Sequence, residues 1–255
     1  MKKILLLLLM CVGVAAPTYG ASTDELFEDD VPPGLELVSF IPHFQKILKA
    51  SKVRTFLEFG PTDATKFFLE KCNKVISVEF VTHGYGPGTI KRLIGSFADY
   101  SNWIPIVYFS GYQSDTNWAP YKYLGSENVY RAASYQTSTH QNYALLDDFY
   151  TVELGSFIAS LVRYNKVDVA FVNPVGVYLR GDIVQALFGK VPVIVGNDTN
   201  GRTQENDLCG FSRVITPEDY EEIFIPDAGG TTVWVAKKDA YKKLTSELWK
   251  YANSL

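Results

Sequence analysis

The chain is 255 residues long, with 47% apolar and 20% charged residues and a net charge of −4. That balance supports a buried core. It excludes a disordered tail, a collagen-like chain and a basic arm built to lie along nucleic acid.

The first twenty residues read as a segment outside the fold. Lys2 and Lys3 form a positive start, Ile4 to Val14 is apolar, and Thr18 and Gly20 stand at −3 and −1 of a cut after Gly20. This is the pattern of a secretory signal peptide. The apolar stretch is shorter than the roughly 18 residues a membrane span needs. Cleavage would remove both lysines and one of the three cysteines, giving a more acidic secreted or periplasmic product with no membrane attachment. Cys72 and Cys209 would remain, and their spacing leaves open whether they form a bridge. Residues 21–35 are acidic, end in Pro32-Pro33-Gly34 and read as a loose arm.

From residue 36 onward the pattern is that of a single α/β domain. Leu37 to Ala50 has helical spacing. Arg54 to Phe59 is a short strand broken by Gly60-Pro61, Ala64 to Lys71 a helix, and Lys74 to Glu79 a second strand. Strand, glycine turn, helix and strand in about 30 residues make a βαβ unit with parallel strands. Thr89 to Tyr100 reads as a helix and Trp103 to Phe109 as a strand. Residues 110–141 are polar, turn-rich and aromatic, and read as an irregular functional insert or lid. Tyr143 to Tyr164 is a long helix, Val167 to Val172 a central parallel strand, Leu179 to Phe188 a helix and Val191 to Val195 a strand. Phe211 to Ile215 is a short element. Glu222 to Ile225 and Thr231 to Ala236 flank Pro226-Asp-Ala-Gly-Gly230 as an antiparallel hairpin, and Ala240 to Ala252 is a closing helix.

Chemistry concentrates at the strand ends. A glycine after a strand lets the backbone turn tightly and approach a ligand. In an open parallel sheet the ligand sits outside the carboxyl ends of the strands, where strand order reverses. Glu79 stands 19 positions after Gly60, near the roughly 20 expected of a carboxylate that reads a ribose.

Three segments, in this order, resemble the class I S-adenosylmethionine-dependent methyltransferases: Leu57-Glu58-Phe59-Gly60-Pro61-Thr62-Asp63-Ala64-Thr65, then Lys74 to Glu79, then Val167 to Pro174 with Val191 to Asp198. The terminal hairpin matches as well. The resemblance implies a doubly wound, mostly parallel, Rossmann-like sheet. It implies S-adenosylmethionine as cofactor, held by Glu58, Gly60, Pro61, Thr62 and Glu79. The chain departs from the family's Gly-x-Gly at Thr62, whose Cβ would crowd the cofactor and disfavours positive φ. Metal-dependent O-methyltransferases of the catechol type carry an aspartate where Asn173 stands and Asp-Asn where Asn197-Asp198 stand. One carboxylate and two amides make a poor oxygen-ligand set, so no metal is expected.

Of the three histidines, His43 reads as structural or exposed and His83 lies close to Glu79. His140, near the end of the aromatic insert, is a candidate general base. Asp198 is the second candidate catalytic group. Arg180-Gly181-Asp182 reads as a helix opening in which Asp182 meets the positive helix end. The expected function is an exported methyltransferase acting on an O or N atom of a small-molecule or glycan acceptor. The alternative is a secreted binding protein that keeps the fold and has lost cofactor binding or catalysis.

Overall fold

The computed structural model describes residues 40–81, 88–110, 130–134, 154–174, 180–200, 209–227 and 229–255. All lie within one compact unit, Val31–Leu255. The expected signal peptide, the arm, His83 and His140 lie outside the described residues. So does the aromatic insert, apart from Ser110 and residues 130–134.

The helices are α1 (Ile41–Ala50), α2 (Thr65–Lys71), α3 (Gly88–Ser96), α4 (Leu154–Asn165), α5 (Arg180–Leu187) and α6 (Lys242–Ala252). The strands are β1 (Thr55–Phe59), β2 (Lys74–Val81), β3 (Trp103–Ser110), β4 (Tyr130–Ser134), β5 (Val169–Val172), β6 (Val193–Asn197), β7 (Tyr220–Ile225) and β8 (Thr231–Ala236). They form one sheet in the order β4-β3-β2-β1-β5-β6-β8-β7. Pairing is parallel from β4 through to β6. β8 runs against both β6 and β7. It is therefore the one reversed strand, one place in from the edge, and β7 beyond it runs with the rest. The fold is α/β, doubly wound and Rossmann-like.

Three details differ from the sequence reading. The irregular insert contains β4, which pairs with β3 from Ile106↔Tyr130 to Ser110↔Ser134. Pro105 marks why β3 is not framed on both sides throughout. It pairs with Ser77 of β2 but precedes the first β4 partner, so its missing N–H falls where β3 has one neighbour. Second, β2 does not close at Glu79. Its pairing with the longer β3 carries it to Val81. Third, the element at Phe211–Arg213 is a single 3₁₀ turn.

The sheet separates two apolar layers. Alternation along β5 sends Phe171 to one and Ala170 and Val172 to the other. The first layer takes α1, α2, α3 and α6, the second α4 and α5. All five residues of β1 are buried, as a central parallel strand requires. In the first layer Phe44 meets Phe56, Phe68 and Phe171 at ring centroid distances of 5.5, 4.8 and 4.9 Å. Burying each such ring is worth about 2–3 kcal/mol relative to leaving it in water. This aromatic packing fixes α1 and α2 against the sheet, and with them the turn that follows β1.

Candidate functional site

The chain leaves β1 for β2, β3 and β4 on one side and returns to β5 on the other. Strand order therefore reverses between β1 and β5, and the crevice outside their carboxyl ends is the place where this architecture binds ligands.

Gly60 forms the floor of that crevice. Its φ is +88°, a value that side chains resist. Its N–H donates to Val78 O at 2.8 Å, while Asn173 N–H donates to Phe59 O at 2.9 Å. A Cβ on Gly60 would stand 2.2 Å from the Asn173 carbonyl oxygen and 2.6 Å from Pro174 Cα. The glycine is thus required first by the chain's own backbone, which passes from β5 directly against it. Pro61 beside it is buried.

Thr62 has a part in the chain's own turn. It is exposed and does not have positive φ; among the described residues other than glycine only Lys166 and Asp198 do. It stands in the turn that leads into α2. Thr62 Oγ1 accepts from Ala64 N–H at 3.2 Å and Thr62 N–H donates to Thr65 Oγ1 at 3.1 Å. Two amides at the helix start are thereby satisfied reciprocally, in the manner of a capping box.

Glu58, expected among the cofactor-binding groups, is instead buried beneath this turn, with 2% of its surface exposed. Its Oε1 accepts from Thr65 Oγ1 at 2.7 Å and from Ser77 Oγ at 2.5 Å. Burial pushes its carboxyl from the ordinary 4.5 up to about 7, against the two hydroxyl donors that pull it down. Glu79 is also buried. It follows Val78, whose carbonyl holds the Gly60 amide, and it lies on the same face of β2 as Ser77. Glu79 and Gly60 are therefore brought together at the mouth of the crevice.

A second cluster lies at the exits of β5 and β6. Arg180, the first residue of α5, is buried. Its Nε donates to Pro174 O at 3.1 Å, and its Nη1 donates to Asn197 O at 3.0 Å and to Asp198 Oδ2 at 2.6 Å. A guanidinium fork thus ties two strand exits together. An Arg-Gly-Asp whose arginine is buried in this way is a helix opening and not a presented adhesive tripeptide. Gly181 belongs to the same joint, since a Cβ there would stand 2.0 Å from Gly210 O. Asp198 has φ +61° and is half-exposed. Behind it lies the hairpin turn, where a Cβ on Gly229 would stand 2.6 Å from Asp198 Oδ1.

Asn197 is buried, with Thr231 Oγ1 3.5 Å from its Oδ1. The Asn197-Asp198-Thr199 sequon is therefore closed within the fold. His43 is buried. From α1 its Nε2 lies 2.8 Å from Asp227 Oδ2, which also accepts from Thr231 Oγ1 at 2.8 Å. His43 Nδ1 and Asp227 Oδ1 are buried with no partner among the described residues. Sequence reasoning missed this pair and Arg180 because each joins segments far apart in the chain. Neither Cys72 nor Cys209 is in a disulfide, and burial drives the Cys72 thiol up to about 12. Among the described residues no group of three His, Cys, Asp or Glu side chains could hold a metal ion, and none forms a helix long and apolar enough to cross a membrane.

No protein-family profile and no curated protein matches the chain. Two solved structures are similar in overall chain course. One is a methyltransferase of Podospora anserina, PaMTH1, bound to SAH. It is 11% identical with a TM-score of 0.43, over 77% of this chain and 76% of that one. The other, from Staphylococcus aureus, is assigned as a caffeoyl-CoA O-methyltransferase. It is 9% identical with a TM-score of 0.41, over 76% of this chain and 81% of that one. Neither similarity bears on the residues of the crevice.

Proposed function

We propose that the chain is an exported methyltransferase that uses S-adenosylmethionine in the β1–β5 crevice, with an O or N atom of a small molecule or glycan as acceptor. The observation that carries this reading is the pairing of Gly60 and Glu79 at a switch point. The Gly60 amide is bonded to the residue just before Glu79, so a left-handed turn at the end of β1 stands beside a carboxylate on the neighbouring parallel strand, two residues short of that strand's end. A carboxylate there can accept from both hydroxyls of a ribose. When bound, S-adenosylmethionine supplies a methyl group on a positively charged sulfur. The chain's part is alignment of the acceptor for in-line attack. Asp198, half-exposed and oriented by Arg180, is suited to orient an acceptor hydroxyl or amine; His140 is the proposed base. Export rests on the Lys2–Gly20 pattern, with cleavage after Gly20, and N-terminal sequencing of secreted protein should begin at Ala21.

A second reading has its own support. The space beside Gly60 is taken by Asn173, so this glycine has a structural reason to exist without any ligand. The alternative is a secreted binding protein on the same fold. Calorimetric titration of the full chain with S-adenosylmethionine and, separately, NAD decides between them. Saturable binding of the first alone supports the methyltransferase. Failure of both to bind overturns it and leaves the binding protein.

A further inference from the structure

The polar groups under the turn have a direction that the donors at their ends impose. Trp103 Nε1 donates to Ser77 Oγ at 2.7 Å. An indole nitrogen can only donate, so the Ser77 hydroxyl must accept from it, and its own hydrogen is left for Glu58 Oε1 at 2.5 Å. The other arm repeats the logic. The Thr62 backbone N–H can only donate, at 3.1 Å to Thr65 Oγ1. The Thr65 hydroxyl therefore turns its hydrogen to Glu58 Oε1 at 2.7 Å. Ser77 and Thr65 are fully buried and Glu58 is 2% exposed. Two one-way arms, starting on β3 and on the crevice turn, thus converge on one carboxylate oxygen.

We propose that Trp103, Ser77, Glu58, Thr65 and Thr62 form a relay that carries the protonation state of one buried carboxyl to the turn at the mouth of the crevice. A hydroxyl that donates to an ionised carboxylate is polarised and becomes a better acceptor; chains of hydrogen bonds strengthen one another in this way. Ionised Glu58 therefore tightens the Thr62–Thr65 bond and the start of α2. Protonation removes the charge that both hydroxyls point at and loosens the turn. The midpoint lies within reach, because burial holds this carboxyl near 7. Of the surrounding charged and titratable groups, exposed Asp63 beside Thr62 accepts from Arg92 Nη1 of α3 at 2.5 Å. On α2, Lys66 lies beside Thr65 but faces out to Glu70 at 3.8 Å. Cys72 closes the same helix, and its thiol feels Asp168 and Glu58. On β2, Glu79 is two residues beyond Ser77 on the same face. Asp168 is turned to the Arg54 and Thr55 amides. The relay does not rest on the methyltransferase reading, and its test adds no ligand.

The test is nuclear magnetic resonance of the full chain, titrated from about pH 5 to about pH 9 across the ionisation window. Three signals are followed: the Glu58 carboxyl carbon, the Thr62 backbone amide and the Trp103 indole N–H. All three should move with one midpoint. Thr65→Val should flatten the Thr62 curve and leave Trp103 titrating. Ser77→Ala should flatten Trp103 and leave Thr62 titrating. The arm left intact in each variant shows that the chain is folded, and Glu58→Gln should flatten both. A Thr62 amide that stays still while Glu58 titrates overturns the relay. So does a Thr62 curve that keeps the Glu58 midpoint in Thr65→Val.

Discussion

Two corners of the carboxyl edge of the sheet are held by different means. At the β1–β2 corner the chain turns through Gly60 and is fixed by hydroxyls and amides around one buried carboxyl. At the corner formed by β5, β6 and the hairpin, a buried guanidinium grips two carbonyls and a carboxylate, and a histidine is pressed against an aspartate. At the first corner the buried Glu58 carboxyl is held by two hydroxyls, and the ion pair of the turn, Asp63 with Arg92, lies exposed outside it, so small changes in protonation or backbone reach it directly. The second is stapled between charges and resists them. A ligand site needs a rigid wall on one side and backbone donors on the other. The contrast therefore favours the β1 turn as the responsive side of the crevice and the Arg180 corner as its frame.

The most severe way to break the first corner is Gly60→Ala. The added Cβ would need the Asn173 carbonyl to retreat from 2.2 Å, and φ of +88° strains any side chain. Backbone rather than a flexible side chain is in the way, so a loss of about 4 kcal/mol or more is expected. Urea denaturation of the purified variant reads it. A loss under about 1 kcal/mol would mean that β5 does not press on the turn.

Next in size is the pH dependence that Glu58 gives to stability. Its carboxyl is raised from 4.5 to about 7 by burial. Between those values the folded chain keeps the proton and the unfolded chain gives it up. Stability contributed at this site is thus full below 4.5, falls as pH rises, and is lost above about 7. The span corresponds to about 3 kcal/mol. Glu58→Gln cannot ionise, so the difference in unfolding free energy between variant and parent should grow in the variant's favour as pH rises from 5 to about 8. A difference that stays constant with pH would show the carboxyl already ionised in the folded chain. The same rise in pH tightens the turn through Thr65 while it lowers global stability, and no merely structural hydrogen bond behaves in both ways.

The second corner is tested by Arg180→Met, which keeps length and apolar contact but removes the fork. Two carbonyls and Asp198 lose their donor. Asp198 is half-exposed and water recovers part of the loss, so a cost of about 2 kcal/mol is expected. Asp198→Asn should cost less than about 1 kcal/mol, because Asn keeps an acceptor oxygen. A larger effect from Asp198 than from Arg180 would reverse the assignment of frame and ligand group.

How much of this could be read from the chain follows from which forces are local. Parallel strands buried on both faces announce themselves as apolar runs, so β1, β2, β3, β5 and β6 were legible, and the Gly229-Gly230 turn announced the hairpin. β4 was not, because Tyr130–Ser134 carries no alternation of its own and is a strand only through its register with β3. In the site, the places of Gly60 and Glu79 on neighbouring strands were legible from spacing, whereas Glu58 was assigned to the cofactor only through the methyltransferase resemblance. Its actual partners, Thr65 and Ser77, lie 7 and 19 residues away, and nothing in the sequence marks them as acceptor or donor. Arg180, His43 and Asp227 were illegible for the same reason at longer range.

Thr62 gives small expected effects and the finest distinction. As a departure from a glycine pattern it reads as an obstacle to a cofactor; in the fold its hydroxyl, in an exposed position, accepts the Ala64 amide in the turn that leads into α2. Thr62→Ser keeps the oxygen that accepts the Ala64 amide and should leave stability unchanged within about 0.3 kcal/mol. Thr62→Ala removes it and should cost about 1 kcal/mol, and Thr62→Gly less than Ala, since glycine is tolerated at helix starts. If the cap is what Thr62 is for, binding of S-adenosylmethionine should follow the same order, with Ser equal to the parent and Ala weaker. If the Thr62 Cβ instead crowds the ligand, Gly, which alone removes it, should bind more tightly than the parent while being less stable. Stability and affinity then move in opposite directions, and one pair of titrations with one pair of unfolding curves tells the two roles apart.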